Sequence, residues 1–420
     1  MMPRRFRMLP PSAAPLVPQD IMAGLRGWRV GRETLETLRQ KLQVRFKVRH
    51  VFFSTSGRAG LSAGLQALRA LNPERDEVLL PAFTSFSVPS AVVNAGLKIS
   101  LYDLHPETLT PDLSSLEKAL NSRTLCVVAC HLFGYPLELR SLREMCRQQG
   151  AQLFDDAAQA MGASINGKLA GTMGDVGLFS LSRGKNMTAV DGGIVLTDRD
   201  DVAEGLTALV PEPAGFNIKH VIESFMLLAM LRPRAYWLPA SLPFLNIGVS
   251  IFDPVFPVES LDPWRAGLAG SVLQRLDALN GGRRKVAASL LSKLDKLDDV
   301  CAIRPLPEAE PVFLRLPLLP QKGAWPHGRV PEIPELGVVR SYPLGLQDIA
   351  LLTPYIVGSG KCPMAALLAK NLLTLPTHSF VQDADMMAMT GGLKEIFKKA
   401  GNIANWLPGC SKQTIMENKA

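Results

Sequence analysis

Two adjacent carboxylates, Asp155 and Asp156, close an apolar run that begins at Leu153, and Gln159 follows three residues after the second. After the apolar run Val176–Leu181, a short polar loop carries one lysine, Lys185, ahead of the glycine pair Gly192–Gly193. An aspartate leaving the end of a buried strand, with a lysine at a neighbouring strand end, suits a particular chemistry. The amine condenses with an aldehyde to a Schiff base. The carboxylate keeps a pyridine nitrogen protonated so that the ring accepts electrons. Those are the demands of pyridoxal 5'-phosphate. Its phosphate needs donors at a helix N-terminus, and the stretch Ser54-Thr55-Ser56-Gly57-Arg58-Ala59-Gly60 offers them.

These groups need a scaffold, and from about Val51 to Asp198 apolar strands alternate with amphipathic helices, the pattern of an α/β domain with a mostly parallel sheet. Strands are expected at Val51–Phe53, Glu77–Leu80, Lys98–Leu104, Leu125–Leu132, Gln152–Asp155, Val176–Leu181 and Gly193–Leu196. Helices are expected at Ala59–Leu71, Phe86–Ala95, Leu113–Leu120 and Leu139–Gln149. Helical periodicity resumes at Pro263–Leu279 and Lys285–Leu297. Strand-like runs at Val312–Leu318 and Gly337–Arg340, with helices at Pro363–Leu373 and Asp383–Lys398, then predict a smaller α/β domain. The division read from this pattern is 1–262 and 263–420.

At 420 residues the chain can bury a substantial core. Its 47% hydrophobic and 20% charged residues are ordinary for a globular protein. A net charge of +8 favours anionic partners, but the basic residues are scattered and no reader motif accompanies them, so nucleic acid is not expected. The six cysteines lack metal-ligand spacing and read as reduced thiols, Cys126 and Cys130 falling on one face of a buried strand. No metal is expected; isolated histidines such as His131 and His378 are a poor metal signal. The basic, proline-broken start lacks the uninterrupted apolar stretch of a secretory signal, so the expected location is cytoplasmic.

The segment around Lys185 resembles the DegT/DnrJ/EryC1/StrS family, the fold-type I, pyridoxal-phosphate-dependent nucleotide-sugar aminotransferases. Their hallmark is a strand ending E-D-A-A-Q, then G-D-x-x-x-F-S-F-x-x-x-K-x-x-x-x-G-E-G-G. Here the chain has Asp155-Asp156-Ala157-Ala158-Gln159, then Gly174-Asp175-Val176-Gly177-Leu178-Phe179-Ser180-Leu181, Lys185 and Val190-Asp191-Gly192-Gly193. Leu80-Pro81-Ala82-Phe83-Thr84 is similar to the family's PAFTF turn and His131–Pro136 to HLYGxP. Leu373–His378 is similar to LLxLPTH, and Tyr342-Pro343-Leu344 to YPxPLH.

The resemblance implies roles. Lys185 would be the Schiff-base lysine and proton shuttle, and Asp156 the partner of the ring nitrogen. A sub-group that dehydrates its substrate has histidine in place of this lysine, so Lys185 favours transamination. Gln159 would support the ring hydroxyl, while Ser56, Gly57, Arg58 and Ser180 would form the phosphate cup. Arg58 stands where the family has threonine; it could replace a hydroxyl contact or turn outward. The residue expected to cover the ring is aromatic in the family, but here it is Ser85 with Phe86 next, so either Phe86 shifts inward or the ring is covered otherwise. His131 would lie near the substrate. Gly215-Phe216-Asn217-Ile218-Lys219 is similar to a G-Y-N-Y-R loop whose asparagine, here Asn217, reaches the neighbouring subunit's cofactor, which implies a homodimer with shared sites.

One stretch departs from that pattern. Residues 221–258 are an insertion, largely apolar, broken by Arg232-Pro233-Arg234 and carrying Trp237, Phe244 and Phe252. Val221–Leu231 is shorter than the about 20 residues needed to span a bilayer. The segment suits either a peripheral membrane contact or an insertion packed on the dimer or over the cleft. The function expected is amino transfer, from glutamate, to a keto group of a nucleotide-activated sugar in cell-envelope glycan or secondary-metabolite biosynthesis. The alternatives are a non-sugar substrate or another reaction on the same fold, and an idle, membrane-associated regulatory paralogue.

Overall fold

The structure, a computed structural model, describes residues 7–211, 215, 217–242, 251–321, 325–358 and 360–400. Two helices that the alternating pattern did not announce come first, α1 (Pro18–Val30) and α2 (Arg32–Phe46). There follow β1 (His50–Ser54), α3 (Gly57–Leu71), β2 (Glu77–Pro81), α4 (Ser87–Asn94), β3 (Lys98–Tyr102), α5 (Leu113–Ala119) and β4 (Thr124–Cys130). Next come α6 (Arg140–Gln149), β5 (Gln152–Asp156), β6 (Ser164–Ile165), β7 (Lys168–Leu169), β8 (Val176–Ser180) and β9 (Gly193–Thr197). The helices α7 (Asp200–Leu209), α8 (Ile218–Met230), α9 (Trp237–Ala240), α10 (Pro263–Leu273) and α11 (Leu276–Leu294) lead onward. The remainder is β10 (Val300–Ala302), β11 (Ala309–Glu310), β12 (Arg315–Pro320), β13 (Val339–Arg340), α12 (Pro363–Asn371), β14 (Leu373–Pro376) and α13 (Asp383–Ala400).

The main sheet has seven strands in the order β1-β9-β8-β5-β4-β2-β3. The run β8-β5-β4-β2-β3 is parallel throughout, while β9 is antiparallel to both its neighbours. Every residue of β2 and β4 is buried, which is why these strands read as unbroken apolar runs rather than as alternating ones. The carboxyl ends of β5, β4 and β2 present Asp156, Cys130 and Pro81 along one edge, where open α/β sheets place their ligand sites.

A smaller antiparallel sheet, β10-β12-β14-β13, follows. It shares one apolar core with the large sheet: Leu101, Leu316 and Leu375 belong to the same buried cluster. Asp103 reinforces the join, since its carboxylate accepts the backbone N–H groups of Met364 and Ala365 at the start of α12.

The expected helix Pro263–Leu279 is interrupted at Gln274–Arg275, and α11 begins at Leu276. α10 lies against α1 at a close crossing. A Cβ on Gly27 would come within 2.4 Å of the Pro263 carbonyl oxygen, and one on Gly267 within 2.3 Å of the Ala23 carbonyl oxygen. No side chain fits either contact. α10 therefore packs with the first body of the chain, and a boundary at 262/263 cuts through a packed helix pair.

The described residues of segment 221–258 divide between two surroundings. α8 buries Ser224 and Leu227 and exposes its other face. Residues 251–258 are instead tied to the large domain: Asp253 N donates to Ser90 Oγ at 3.0 Å, and Asn94 Nδ2 donates to the carbonyls of Pro254 and Phe256. Phe244 lies outside the described residues, as does the Phe216 of the asparagine loop.

Candidate active site

The lysine loop connects β8 to β9, and its backbone is held from several directions. Arg283 donates to the Lys185 carbonyl at 3.3 Å, Ser12 Oγ to the Gly184 carbonyl at 2.5 Å, and Lys185 N to the Ser182 carbonyl at 3.2 Å. Within this loop Val190 adopts φ +74° and is almost fully buried. It stands at the first glycine of the G-E-G-G pattern. A β-branched residue held in the left-handed region costs about 1–3 kcal/mol, which the surrounding contacts must offset.

One cavity of about 260 Å³ collects Lys185, Asp156, Gln159, Ser56, Gly57, Arg58 and Ser180. It lies at the low end of the roughly 300–1,000 Å³ typical of ligand pockets. A larger groove of about 690 Å³ runs beside α2 and β1, but it contains no lysine. Several of its charged groups are already paired, Arg39 with Glu36, and Arg49 and His50 with Asp200. The smaller cavity is the candidate site.

Asp156 sits at the end of β5, 7% exposed, and accepts from Ala158 N at 3.0 Å. The Cys130 thiol approaches its other oxygen at 3.4 Å and accepts in turn from Thr84 Oγ1 at 3.6 Å. Burial holds the Cys130 thiol well above its ordinary pKa, so it remains a donor. Burial also raises the Asp156 carboxyl, against the Ala158 N–H and the Lys185 charge. The Lys185 amine moves the opposite way: burial lowers it, while Asp156 and Asp191 pull it up. A buried amine and a buried carboxylate thus face one cavity with converging proton affinities, a feature of functional sites.

The anion side is formed by the N-terminus of α3. Ser56 is its N-cap, accepting from Ala59 N at 3.2 Å. A Cβ on Gly57 would lie 3.0 Å from the Ser180 side chain, so glycine lets the helix end approach β8. Ser180 Oγ and Ser182 Oγ are 3.1 Å apart. Backbone N–H groups and three hydroxyls, close to the positive end of a helix, form a donor set suited to a phosphate.

Several expected residues behave differently. His131 is fully buried, with Nε2 2.5 Å from Asp155 Oδ1 and Nδ1 accepting from Leu137 N. Both ring nitrogens are committed, and His131 is absent from the cavity wall, so the expected substrate contact is not formed here. Asp155 also accepts from Gly171 N and Met173 N, so the pair fixes the loops behind the site. Phe86 does not turn inward: it packs against the large apolar core, while Thr84, Ser85, Ser87 and Val88 line the cavity. Arg58 lines the cavity wall, but its guanidinium pairs with Asp253, 3.0 Å away, and lies over Phe256 at 4.6 Å. Asn217 is exposed and caps α8 by accepting from Lys219 N.

Other contributors were not assigned to the site from the sequence. Tyr342 accepts from Gln159 Nε2 at 2.8 Å, and Phe133 N donates to Gln159 Oε1 at 3.0 Å. Ser182 and Asp191 line the cavity although only Ser180 and Lys185 had been singled out there. Cys130 had looked like a core hydrophobe. Its position at a strand end beside Asp156 was the available signal.

Residues 21–216 match the sequence profile of the DegT/DnrJ/EryC1/StrS aminotransferase family. That stretch of the chain belongs to this family. The GDP-perosamine synthase of Vibrio cholerae is 31% identical over 38% of the chain and 42% of its own length. The UDP-N-acetyl-3-dehydro-alpha-D-glucosamine 3-aminotransferase of Acidithiobacillus ferrooxidans is 33% identical over 36% of the chain and 42% of its own length. The matched stretch thus spans about two-fifths of each of these relatives. The E. coli GDP-4-keto-6-deoxy-D-mannose-3-dehydratase, solved with bound hydrated pyridoxal phosphate, superposes with a TM-score of 0.74 at 17% identity. The overlay covers 93% of this chain and all of that one, so the fold extends beyond the family match.

Proposed function

We propose that this DegT/DnrJ/EryC1/StrS protein is a pyridoxal-phosphate-dependent aminotransferase acting on a keto group of a nucleotide-activated sugar. Glutamate is the proposed amino donor. The observation that carries the reading is the convergence of Lys185, Asp156 and the Ser56–Ser180 donor set on one cavity. The residues fit the cofactor: an amine of lowered proton affinity, a buried carboxylate opposite, and a helix N-terminus with hydroxyls for the phosphate. Bound there, pyridoxal phosphate supplies an aldehyde for covalent capture and a ring that spreads negative charge from the reacting carbon.

The chain's own residues do the rest. Ser56, Ser180, Ser182 and the N–H groups at the start of α3 would grip the phosphate. Asp156, ionised once a cationic ring nitrogen faces it, would hold that nitrogen's proton, with the Cys130 thiol and Ala158 N–H fixing its orientation. Gln159 is locked by Phe133 and Tyr342 and would orient the ring's polar edge. Lys185 Nζ would carry the proton between the substrate carbon and the cofactor's aldehyde carbon. The names of the two relatives support a sugar-nucleotide substrate. The small cavity leaves such a substrate to occupy space outside it.

The same reading includes a homodimer in which exposed Asn217 serves the partner's site, a cytoplasmic location, a role in polysaccharide biosynthesis and peripheral contact with the inner face of a membrane. The test is to load the purified protein with pyridoxal phosphate, reduce it with borohydride and map the adduct, then assay conversion of glutamate to 2-oxoglutarate. A pyridoxyl group on Lys185 with glutamate turnover, completed by an amino sugar from a keto sugar nucleotide, is expected. An adduct at another lysine, or no turnover with any amino-acid donor, would refute the assignment.

A further inference from the structure

Two carboxylates line the cavity that holds Lys185, Asp156 and Asp191. Asp191 stands between two residues held at positive φ, Val190 at +74° and Gly192 at +150°. Glycine adopts such angles readily, whereas a β-branched residue resists them. Thr188 Oγ1 accepts from Val190 N at 3.1 Å and pins the strained residue, while Asp191 Oδ1 accepts from Gly192 N at 2.8 Å. The backbone thus fixes where one half-buried carboxylate stands on the cavity wall. Strain of this kind is characteristic of functional sites. Asp191 Oδ2 accepts no hydrogen bond among the described residues.

Three guanidiniums face Asp191, and each has another carboxylate of its own. Arg265 is paired with Asp262, Arg58 with Asp253 at 3.0 Å, and Arg183 with Glu223 at 3.6 Å. Arg265 reaches only the backbone carbonyl of Asp191, at 3.5 Å. Without a cation bound to it, this carboxylate is available to a positive charge that arises inside the cavity.

Amino transfer produces such a charge. Once released from the cofactor, Lys185 Nζ is an ammonium from the moment it takes the substrate proton until it delivers it. Asp156 is then committed to the ring nitrogen, whose charge offsets its own. Cys130, which also faces the lysine, is held as a neutral thiol by burial. Among the described residues lining the cavity, Asp191 is the carboxylate left to balance the ammonium. We infer that Asp191 is a positioning residue for this reaction, its carboxylate accepting a hydrogen bond from the Lys185 ammonium while Nζ carries the proton between the substrate carbon and the cofactor's aldehyde carbon. The inference rests on the aminotransferase reading above. The proton stays on nitrogen between those two carbons, and Asp191 neither gains nor loses one. The charges agree in direction: burial lowers the proton affinity of Lys185, and Asp156 and Asp191 both raise it.

The experiment compares wild type with Asp191→Asn and with Asp191→Glu, which keeps the charge on the longer side chain of the G-E-G-G pattern. In the apoprotein, competitive acetylation with acetic anhydride across pH, read by mass spectrometry, titrates the Lys185 amine. That amine should titrate lower in Asp191→Asn, because an attractive charge is gone, and should recover in Asp191→Glu. In the loaded protein, turnover of glutamate and of 2-deuteroglutamate reads the proton transfer. Asp191→Asn should lower kcat at least about tenfold, leave KM within about twofold and enlarge the isotope effect. It should keep the far-UV spectrum and the borohydride-fixed pyridoxyl group on Lys185. Should it not fold, Asp191→Ser takes its place in both readouts. A charge-free variant whose Lys185 titrates as in wild type overturns the proposal, as does one that loses rate through KM with an unchanged isotope effect. So does Asp191→Glu if its lysine titrates as low as that of Asp191→Asn. A wild-type adduct on another lysine would instead overturn the aminotransferase reading, and this proposal with it.

Discussion

The guanidinium of Arg283 donates to the backbone carbonyl of Lys185 across 3.3 Å, and so the proposed Schiff-base lysine is positioned from α11. The same guanidinium also reaches the carbonyls of Ala13 and Leu314. Burial lowers its pKa to about 10, still well above neutrality. Arg283 therefore joins the N-terminal segment, the lysine loop and the entry to β12.

Replacing it should be costly. Arg283→Met leaves three carbonyls without this donor, and unmet buried polar groups cost about 1–3 kcal/mol each, offset in part by removal of a buried charge. A loss of about 2–4 kcal/mol in urea unfolding is expected, with slower turnover. Arg283→Lys should recover only part, because an ammonium cannot fork to three acceptors. Wild-type stability in the methionine variant would show that the tie is idle.

Asp156 sets stability against function. Burial raises its carboxyl above the ordinary value, so the folded apoprotein holds that proton more tightly than the unfolded chain does. Its contribution is most favourable below the unfolded value near 3.9 and declines as pH rises through the raised folded value. Asp156→Asn apoprotein should accordingly melt higher than wild type near neutral pH, with the gap closing below about pH 4. Turnover with bound cofactor should meanwhile fall about 10²–10⁴-fold. Melting curves across pH and a glutamate half-reaction decide it; an unaltered rate sinks the assigned role.

Lys185→Ala should fold and show no pyridoxyl adduct after borohydride, with turnover down at least about 10²-fold. If Asn217 serves the partner's site, mixing Lys185→Ala with inactive Asn217→Ala protein should regenerate activity in hybrid dimers. Confirmed subunit exchange without recovery would count against shared sites.

The guanidinium of Arg58, at the cavity wall, is held by Asp253 and Phe256. The ion pair is partly exposed, so Arg58→Thr should cost less than about 1 kcal/mol. Its main effect should be local, with faster chymotryptic cleavage beside Phe252 and Phe256. An unchanged cleavage rate would show that Ser90 and Asn94 suffice to hold the segment.

The large sheet was legible because fully buried parallel strands are unbroken apolar runs and the helices between them carry a clear period. α1 and α2 were not. The glycines at the α1–α10 crossing replace the large apolar residues that mark a core face, so Gly24 and Gly27 dilute the pattern where packing is tightest. In the site, Lys185, Asp156 and Ser180 could be read because motif spacing fixes them along the chain. The site contacts of Tyr342, Arg283 and Cys130 could not, since they join distant segments through folded contacts alone. His131 misled for the same reason: a histidine beside the site motif looks available until both ring nitrogens are traced to Asp155 and Leu137.

The stretch from Met8 to Leu16 has a consequence for biosynthesis. Leu9, Ala13, Ala14 and Leu16 are buried, and the segment's hydrogen-bond partners include Pro233, Glu335 and His378. This strip is translated well before most of its seat. It must wait unprotected until residues hundreds of positions later emerge to receive it. Because Ser12 also touches Gly184 next to the lysine, cleavage within the strip during that interval would leave a protein whose lysine loop had lost a support. Protection of the strip should thus be among the last events of maturation, and peptide mapping of inactive fractions would reveal molecules that missed it.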